Sequence, residues 1–337
     1  MSEPIREVKK TEPASFPSFG AHPKVLWIVS SGGHLAQAHR IEGLVGRNPD
    51  SLWITFDSPQ SRSLLESRRV AFVDYVAPRD LPGALRVASR ARKLARAEGF
   101  DLVVSTGAAI AGVALPRLAL TGARTMYVES ISRSTGPSVT GRIMAVAPRV
   151  STFTQYPSWA SRRWRYEGSV LDDFEARARP VTSGPRRIFV TLGTIRPYRF
   201  DRAVDSLLAV IRPDDTVTWQ VGVTHRDDLP GETVGEIPAE EMLRHIDDAD
   251  VVVTHSGVGS ILNCLERGKV PVLMVRTAAH NEHVDDHQQN IADIMTARGL
   301  AYELDLSAPD RDPLERAAAR RAEVRPHPFD HSDPPRE

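Results

Sequence analysis

The sequence predicts an α/β protein made of two Rossmann-like domains in tandem, their parallel sheets facing each other across a cleft. Two observations carry this. Short, β-branched apolar runs alternate with helical patterns along most of the 337 residues, as in parallel sheets covered on both faces. The alternation breaks once, at Ser169–Arg186, where Asp172, Asp173, Pro180, Ser183, Gly184 and Pro185 concentrate as in a linker. The length leaves room for two cores of ordinary size.

The elements follow in order. Residues 1–22 mix Pro, Ser, Glu and Lys without periodicity and read as a disordered leader. Within the first domain, 23–168, Val25–Ser30, Leu52–Phe56, Leu102–Ser105, Thr125–Val128 and Val150–Phe153 read as buried strands. Leu81–Glu98, Ala108–Leu120 and Gly141–Ala147 read as helices. After the 169–186 linker, the second domain, 187–306, repeats the plan. Its strands are Ile188–Thr191, Val217–Val221, Val251–Thr254 and Val270–Val275; its helices are Phe200–Val210, Ala239–Asp247, Ser260–Arg267 and Asp286–Arg298. The tail, 307–337, is rich in Arg, Asp and Pro and is expected to be loose apart from a short helix around Leu314–Val324.

Composition narrows the class. A chain with 41% hydrophobic and 26% charged residues is globular. Lys+Arg and Asp+Glu both number 43, so no global field draws it to nucleic acid or an acidic bilayer, and such contact needs a local patch. The single cysteine, Cys264, cannot form an internal disulfide. No apolar run approaches the roughly 20 residues that cross a bilayer, and a cytoplasmic protein is expected.

Four glycine loops follow strands: Ser30-Ser31-Gly32-Gly33-His34, Ser105-Thr106-Gly107, Thr191-Leu192-Gly193-Thr194, and His255-Ser256-Gly257-Val258-Gly259-Ser260. In open parallel sheets ligands bind beyond the carboxyl ends of strands, where such loops turn backbone amides and helix N-termini toward the ligand. One such glycine is often only turn geometry. Four in equivalent places, two per domain, point to a phosphate-bearing ligand. The Lys-Ser/Thr ending of a P-loop is absent, and the first loop lacks the third glycine of the dinucleotide fingerprint, which disfavours NAD. His34, opening the first helix, either accepts a proton from a hydroxyl or orders the glycine loop. The string His280–Asn290 holds three histidines and three carboxylates, but its spacing is not that of a zinc helix and cysteine ligands are missing. It reads as a polar helix start, Asp285 and Asp286 against the dipole, suited to a hydroxyl-rich ligand and not to a metal.

The second half resembles the donor domain of family 28 glycosyltransferases, which have the two-domain GT-B fold. The matching residues are His255-x-Gly257-x-Gly259-Ser260, Gly268-Lys269-x-Pro271, Glu282-His283-Val284-Asp285-Asp286-His287-Gln288 with Asn290, and Val190–Thr194 with Phe200-Asp201. The Glu282–Gln288 string looks most like the catalytic subunit of bacterial exopolysaccharide glycosyltransferase pairs, itself similar to that of the eukaryotic dolichol-linked N-acetylglucosamine transferase. The first half resembles the partner subunit through Ser31–His34, Ser105–Gly107, Tyr127–Arg133, Ser138–Ile143 and Gln155–Ser158. The chain therefore looks like a fusion of the pair. Many family members carry Glu where this chain has Asn263, a departure that bears on the donor sugar.

The resemblance implies an inverting, metal-independent transfer from a UDP-sugar, a co-substrate and not a cofactor; His34, from its place at the start of the first helix, is the candidate catalytic residue. Gly193, Thr194, His255, Ser256, Gly257, Gly259, Ser260, Asn263, His283, Asp286, Gln288 and Asn290 fall on the donor side. Of these, the amides of Gly257, Gly259 and Ser260 would hold the diphosphate and Gln288 and Asn290 would read sugar hydroxyls, while His255 is either ligand or loop-orienting. Ser31, Gly32, Gly33, Thr106, Gly107, Glu129 and Arg133 fall on the acceptor side, where Glu129 either lines the cleft or satisfies amides around Ser132. The implied acceptor is a polyprenyl-diphosphate-linked or other saccharide at the cytoplasmic face of the inner membrane. Arg117, Arg124, Arg133 and Arg142 interleaved with Leu118, Leu120, Ile131, Ile143 and Met144 are one candidate surface for it. The stretch Trp159–Arg165 is either a second belt or a packed tryptophan with a solvated basic face. Two rival roles are a non-catalytic enhancer subunit and a GT-B nucleotide-sugar epimerase.

Overall fold

The computed structural model describes residues 22–77, 80–180, 183–193, 196–283 and 287–324. In the first domain, β1 (Val25–Ile28), β2 (Leu52–Phe56), β3 (Arg69–Val73), β4 (Leu102–Ser105), β5 (Thr125–Val128), β6 (Val150–Thr154) and β7 (Trp164–Tyr166) form one parallel sheet. Its order is β3-β2-β1-β4-β5-β6-β7. The covering helices are α1 (Gly33–Val45), α2 (Pro59–Leu64), α3 (Leu81–Glu98), α4 (Ala108–Ala119) and α5 (Val139–Val146). Strand alternation sends Trp27, Val104 and Val128 to one face, with α1, and Leu26, Val103 and Tyr127 to the other, under α3, α4 and α5. With both faces buried, β1, β4 and β5 read as continuous apolar runs instead of alternating ones.

The second domain repeats the winding. Its sheet runs β11 (Glu232–Val234), β10 (Thr216–Gln220), β9 (Arg187–Thr191), β12 (Val251–His255), β13 (Val272–Met274), β14 (Tyr302–Glu303), all parallel. Helices α6 (Asp201–Leu208), α7 (Ala239–Asp248), α8 (Val258–Glu266) and α9 (His287–Ala297) cover it. In each domain the strand order reverses beside the first strand, between β1 and β4 and between β9 and β12. Crevices open at such switch points, and all four glycine loops lie at these two.

Two segments differ from expectation. The 169–186 stretch contains a strand, β8 (Phe174–Ala178), and the tail contains a helix, α10 (Asp312–Ala318), followed by β15 (Arg320–Val324). The helical reading of Leu314–Val324 thus holds only for its first part. β15 pairs antiparallel with β8, from Arg320 opposite Ala178 to Val324 opposite Phe174. Leu314, Ala317, Ala318 and Ala322 are buried in the same apolar cluster as β9 and β12, and Arg311 pairs with Asp215 at 2.6 Å while Arg186 pairs with Glu315 at 2.7 Å. Charge and proline density hid a strand whose partner is far away in sequence, beyond the reach of any local pattern.

Candidate active site

The two domains meet through the starts of their helices. α1 packs on α8 and α2 on α7. At the first contact a Cβ built on Gly33 would stand 3.0 Å from Val258 Cβ, and one on Gly259 3.6 Å from the Gly33 backbone nitrogen. The N-termini of α1 and α8 therefore lie against each other, each carrying the positive end of its dipole and first-turn amides that have no acceptor within their own helix. Gly32 holds the approach to α1 at φ 70°, a conformation suited to glycine, and its amide donates to Gln60 Oε1 at 2.7 Å.

His34, in the first turn of α1, reaches across to the loop after β4. Its Nδ1 lies 2.8 Å from the Thr106 carbonyl oxygen, and the Thr106 hydroxyl returns a bond to the His34 carbonyl at 2.8 Å. A carbonyl only accepts, so Nδ1 carries the proton and Nε2 keeps a free lone pair in the neutral ring. Burial lowers the pKa below 6.5, opposed by the bond to Thr106 and aided by the positive charge of Arg133. The ring is held neutral in the tautomer that can take a proton. Gly107, at φ 132°, leaves the space the ring fills: a Cβ there would be 2.6 Å from His34 Cε1.

In the second domain His255 ends β12 between two glycine loops; a Cβ on Gly193 would lie 2.7 Å from its Cε1, and one on Gly257 would collide with Nε2. Its Nδ1 is buried without a hydrogen-bond partner. Burial, then the nearby Arg276 cation, push its pKa down to about 4, against a backbone bond to Thr191. That packing gives His255 a loop-orienting position. Beneath it lies Arg276, a residue the sequence pattern does not single out. Only 1% exposed, it donates to the carbonyls of Leu192 at 2.7 Å, Glu282 at 3.0 Å, Tyr198 at 3.2 Å and Arg199 at 3.3 Å. Its guanidinium stacks 4.4 Å above Phe200. Glu282 is buried and pairs in two-pronged fashion with Arg202, at 3.1 and 2.8 Å. Gln288 is buried too, its amide oxygen accepting from the Arg276 backbone nitrogen at 3.2 Å.

The other expected residues divide. Gly257, Gly259, Ser260, Asn263 and Asn290 are partly exposed on or beside the starts of α8 and α9, as is His283 nearby, whereas Ser256 is buried against Met274. Thr194 and Asp286 lie outside the described residues. Ser31 and Arg133 flank His34's loop, partly exposed. Glu129 does not line the cleft. It is 1% exposed and accepts from the amides of Ser130 at 3.2 Å and Ser138 at 2.9 Å, from Ser138 Oγ, and from the Tyr127 hydroxyl, so its carboxylate anchors the start of α5. Glu266 points to Arg40 of α1 across the domain boundary at 3.2 Å, and Arg40 also reaches Asp173 at 3.3 Å.

The two candidate basic surfaces are redrawn. Leu118, Ile131 and Met144 are buried, because their spacing belongs to the inward faces of helix and loop. Leu120 (64%) and Ile143 (44%) of the expected set are exposed, and α5 adds Val139 (75%) and Val146 (82%) beside Arg142. Trp159 donates to the Arg133 carbonyl at 3.1 Å and packs edge-on against buried Trp164. Arg163 donates to the carbonyls of Met144, Ala145, Ala147 and Val150, closing the end of α5. That stretch is a packed cap and not a belt.

Residues 188–307 match the family model described as glycosyltransferase family 28 C-terminal domain. No curated protein sequence matches the chain. Among solved structures it is similar to MurG of Acinetobacter baumannii, at 17% identity over 85% of this chain and 87% of that one, TM-score 0.52. It is similar as well to the glycosyltransferase SnogD from Streptomyces nogalater, at 17% identity over 89% and 91%, TM-score 0.54. The calicheamicin glycosyltransferase CalG4 aligns at 14% identity over 88% and 90%, TM-score 0.53. At such identities the likeness is one of fold. The chain has the GT-B fold of two facing Rossmann-like domains, and residues 188–307 are similar to the glycosyltransferase family 28 C-terminal domain.

Proposed function

We propose that this protein is an inverting glycosyltransferase that moves a sugar from a UDP-sugar to a polyprenyl-diphosphate-linked or other saccharide acceptor. The observation that carries the reading is the contact of Gly33 with Val258 and Gly259, which sets His34 beside the start of α8. The acceptor hydroxyl gives its proton to His34 Nε2 as its oxygen bonds to the anomeric carbon. The bond from that carbon to the diphosphate breaks on the opposite face, and UDP leaves with the electron pair. Charge develops on the leaving diphosphate, where the α8 amides of Gly259 and Ser260, together with the Gly257 loop and the Thr194 loop, would stabilise it. His283 would support the loop that brings Gln288 and Asn290 to the sugar, and Asn263 in place of a carboxylate would alter how the ribose or sugar is read. On the acceptor side Ser31, Gly32, Thr106, Gly107 and Arg133 surround the base.

The resemblance of each half to a different subunit of a glycosyltransferase pair supports reading the chain as their fusion, with a role in cell-surface or exopolysaccharide synthesis. No helix among the described residues is long and apolar enough to cross a membrane. Val139, Ile143 and Val146 beside Arg142 form a surface through which α5 would meet the cytoplasmic face of the inner membrane, where a lipid-linked acceptor resides.

The test is a thermal-shift series with UDP, GDP, dTDP, UDP-sugars and NAD, followed by turnover. Stabilisation that rises with uridine nucleotide alone, and UDP release that requires both donor and acceptor, are expected. Sugar isomerisation without acceptor would replace this reading with an epimerase. Donor binding without turnover on any saccharide would replace it with the enhancer role.

A further inference from the structure

We infer that Arg276 is a positioning residue for the donor's diphosphate, tying the loops after β9 and β13 together and leaving beneath them a positive charge that the bound diphosphate neutralises. The inference rests on the donor-site reading above. Four carbonyls from three segments, Leu192, Tyr198 with Arg199, and Glu282, converge on one guanidinium. These segments frame the loop that ends at Gly193 and the one that leads to α9, so a single side chain sets the spacing between them. A neutral hydrogen-bonding residue could do part of that. The charge is the unexplained feature.

A buried guanidinium is ordinarily paired with a carboxylate, since desolvating a lone cation is costly. Among the described residues the carboxylate nearest Arg276 in effect is Glu282, and both its oxygens are engaged by Arg202 at 3.1 and 2.8 Å. Among the described residues, two cations and one anion leave one positive charge in excess. Arg276 Nε, moreover, is buried without a partner. Carbonyl oxygens and the Phe200 face ease the desolvation without cancelling the charge. The field reaches the glycine loops, because it helps depress the pKa of His255, the ring wedged between Gly193 and Gly257. A group at 1% exposure cannot touch the ligand; it acts through the amides it positions and through its charge. An anion at the start of α8 is the complement this arrangement lacks.

Calorimetric binding of UDP and of uridine to the full chain tests this in wild type, Arg276→Met and Arg276→Lys. Removing the charge should weaken UDP by about tenfold or more while uridine changes little, the scale of one nearby unit charge acting on an anion in a partly desolvated site. The lysine variant keeps the charge with fewer carbonyl bonds; it should melt lower yet retain most of the wild-type preference for UDP over uridine. Equal losses for UDP and uridine in Arg276→Met, or an unchanged UDP affinity, would overturn the proposal. If the methionine variant does not fold, collapse of the UDP preference in a folded Arg276→Lys protein would overturn it as well. A wild-type protein that binds no UDP would remove the donor-site reading itself, a result distinct from any of these.

Discussion

His34 and Gly107 stand so close that a methyl group on Gly107 would sit 2.6 Å from the imidazole, at a backbone φ of 132° that already disfavours a side chain. On the proposed mechanism Gly107→Ala should therefore displace the ring, reducing kcat by about tenfold or more while leaving UDP affinity near wild type. His34→Ala should cost about 100-fold or more in turnover with donor binding retained. Steady-state kinetics beside calorimetry separate the two quantities. Since the His34 pKa is lowered from 6.5, the acid limb of the kcat/KM profile should fall below pH 6.5. His255 carries a related prediction for stability. Its folded pKa, about 4, lies below its ordinary 6.5, so the unfolded chain binds a proton first as pH falls. Stability is full above pH 6.5 and declines progressively toward pH 4, by up to about 3 kcal/mol from this group. Melting temperature against pH should slope less over that window in His255→Gln than in wild type.

At the level of elements, α1 is joined to the second domain by Arg40, which bonds Glu266 on α8 and Asp173 before β8 while its guanidinium lies 4.1 Å from the Phe174 ring. Arg40→Ala should destabilise the chain by about 1–3 kcal/mol, the range for opening a partly buried ion pair and removing the packing of its stem. Thermal denaturation checks it. The elements that sequence pattern reveals are those with apolar runs or amphipathic turns: β1, β2, β4, β5, β6, β9, β10, β12 and β13, and α3 to α9. Their glycine loops are legible for the same reason, since glycine after a buried strand marks the turn into a helix. Edge strands such as β3, β11 and β14 are short and mixed in character, and no sequence pattern marks them. Arg276 and Glu129 show the other limit. A buried charge is recognised by its partners, and those come from segments distant in sequence, so nothing local distinguishes Arg276 from a surface arginine or Glu129 from a cleft carboxylate.

Across the whole molecule, one apolar cluster runs from Trp27 and Val104 in the first domain through Leu171 and Phe174 to Val190, Val253 and Leu314 in the second. The chain's final described segment is part of it. Ending the chain at Leu306 would strip α10 and β15, expose the surface that Leu314, Ala317, Ala318 and Ala322 cover, and leave Asp215 without Arg311. The expected loss is about 3 kcal/mol or more, read as a large drop in melting temperature or as insoluble protein.

The pairing of β8 with β15 has a further consequence for how the two halves could exist apart. A break in the chain between residues 180 and 183 would leave β8 on the first fragment and β15 on the second. Each fragment would then hold one strand of a ladder whose other strand belongs to its counterpart, reinforced by Arg40 against Glu266. Co-expressed as separate polypeptides, 22–180 and 183–324 should find one another by strand complementation and reassemble the crevice, with neither fragment soluble by itself.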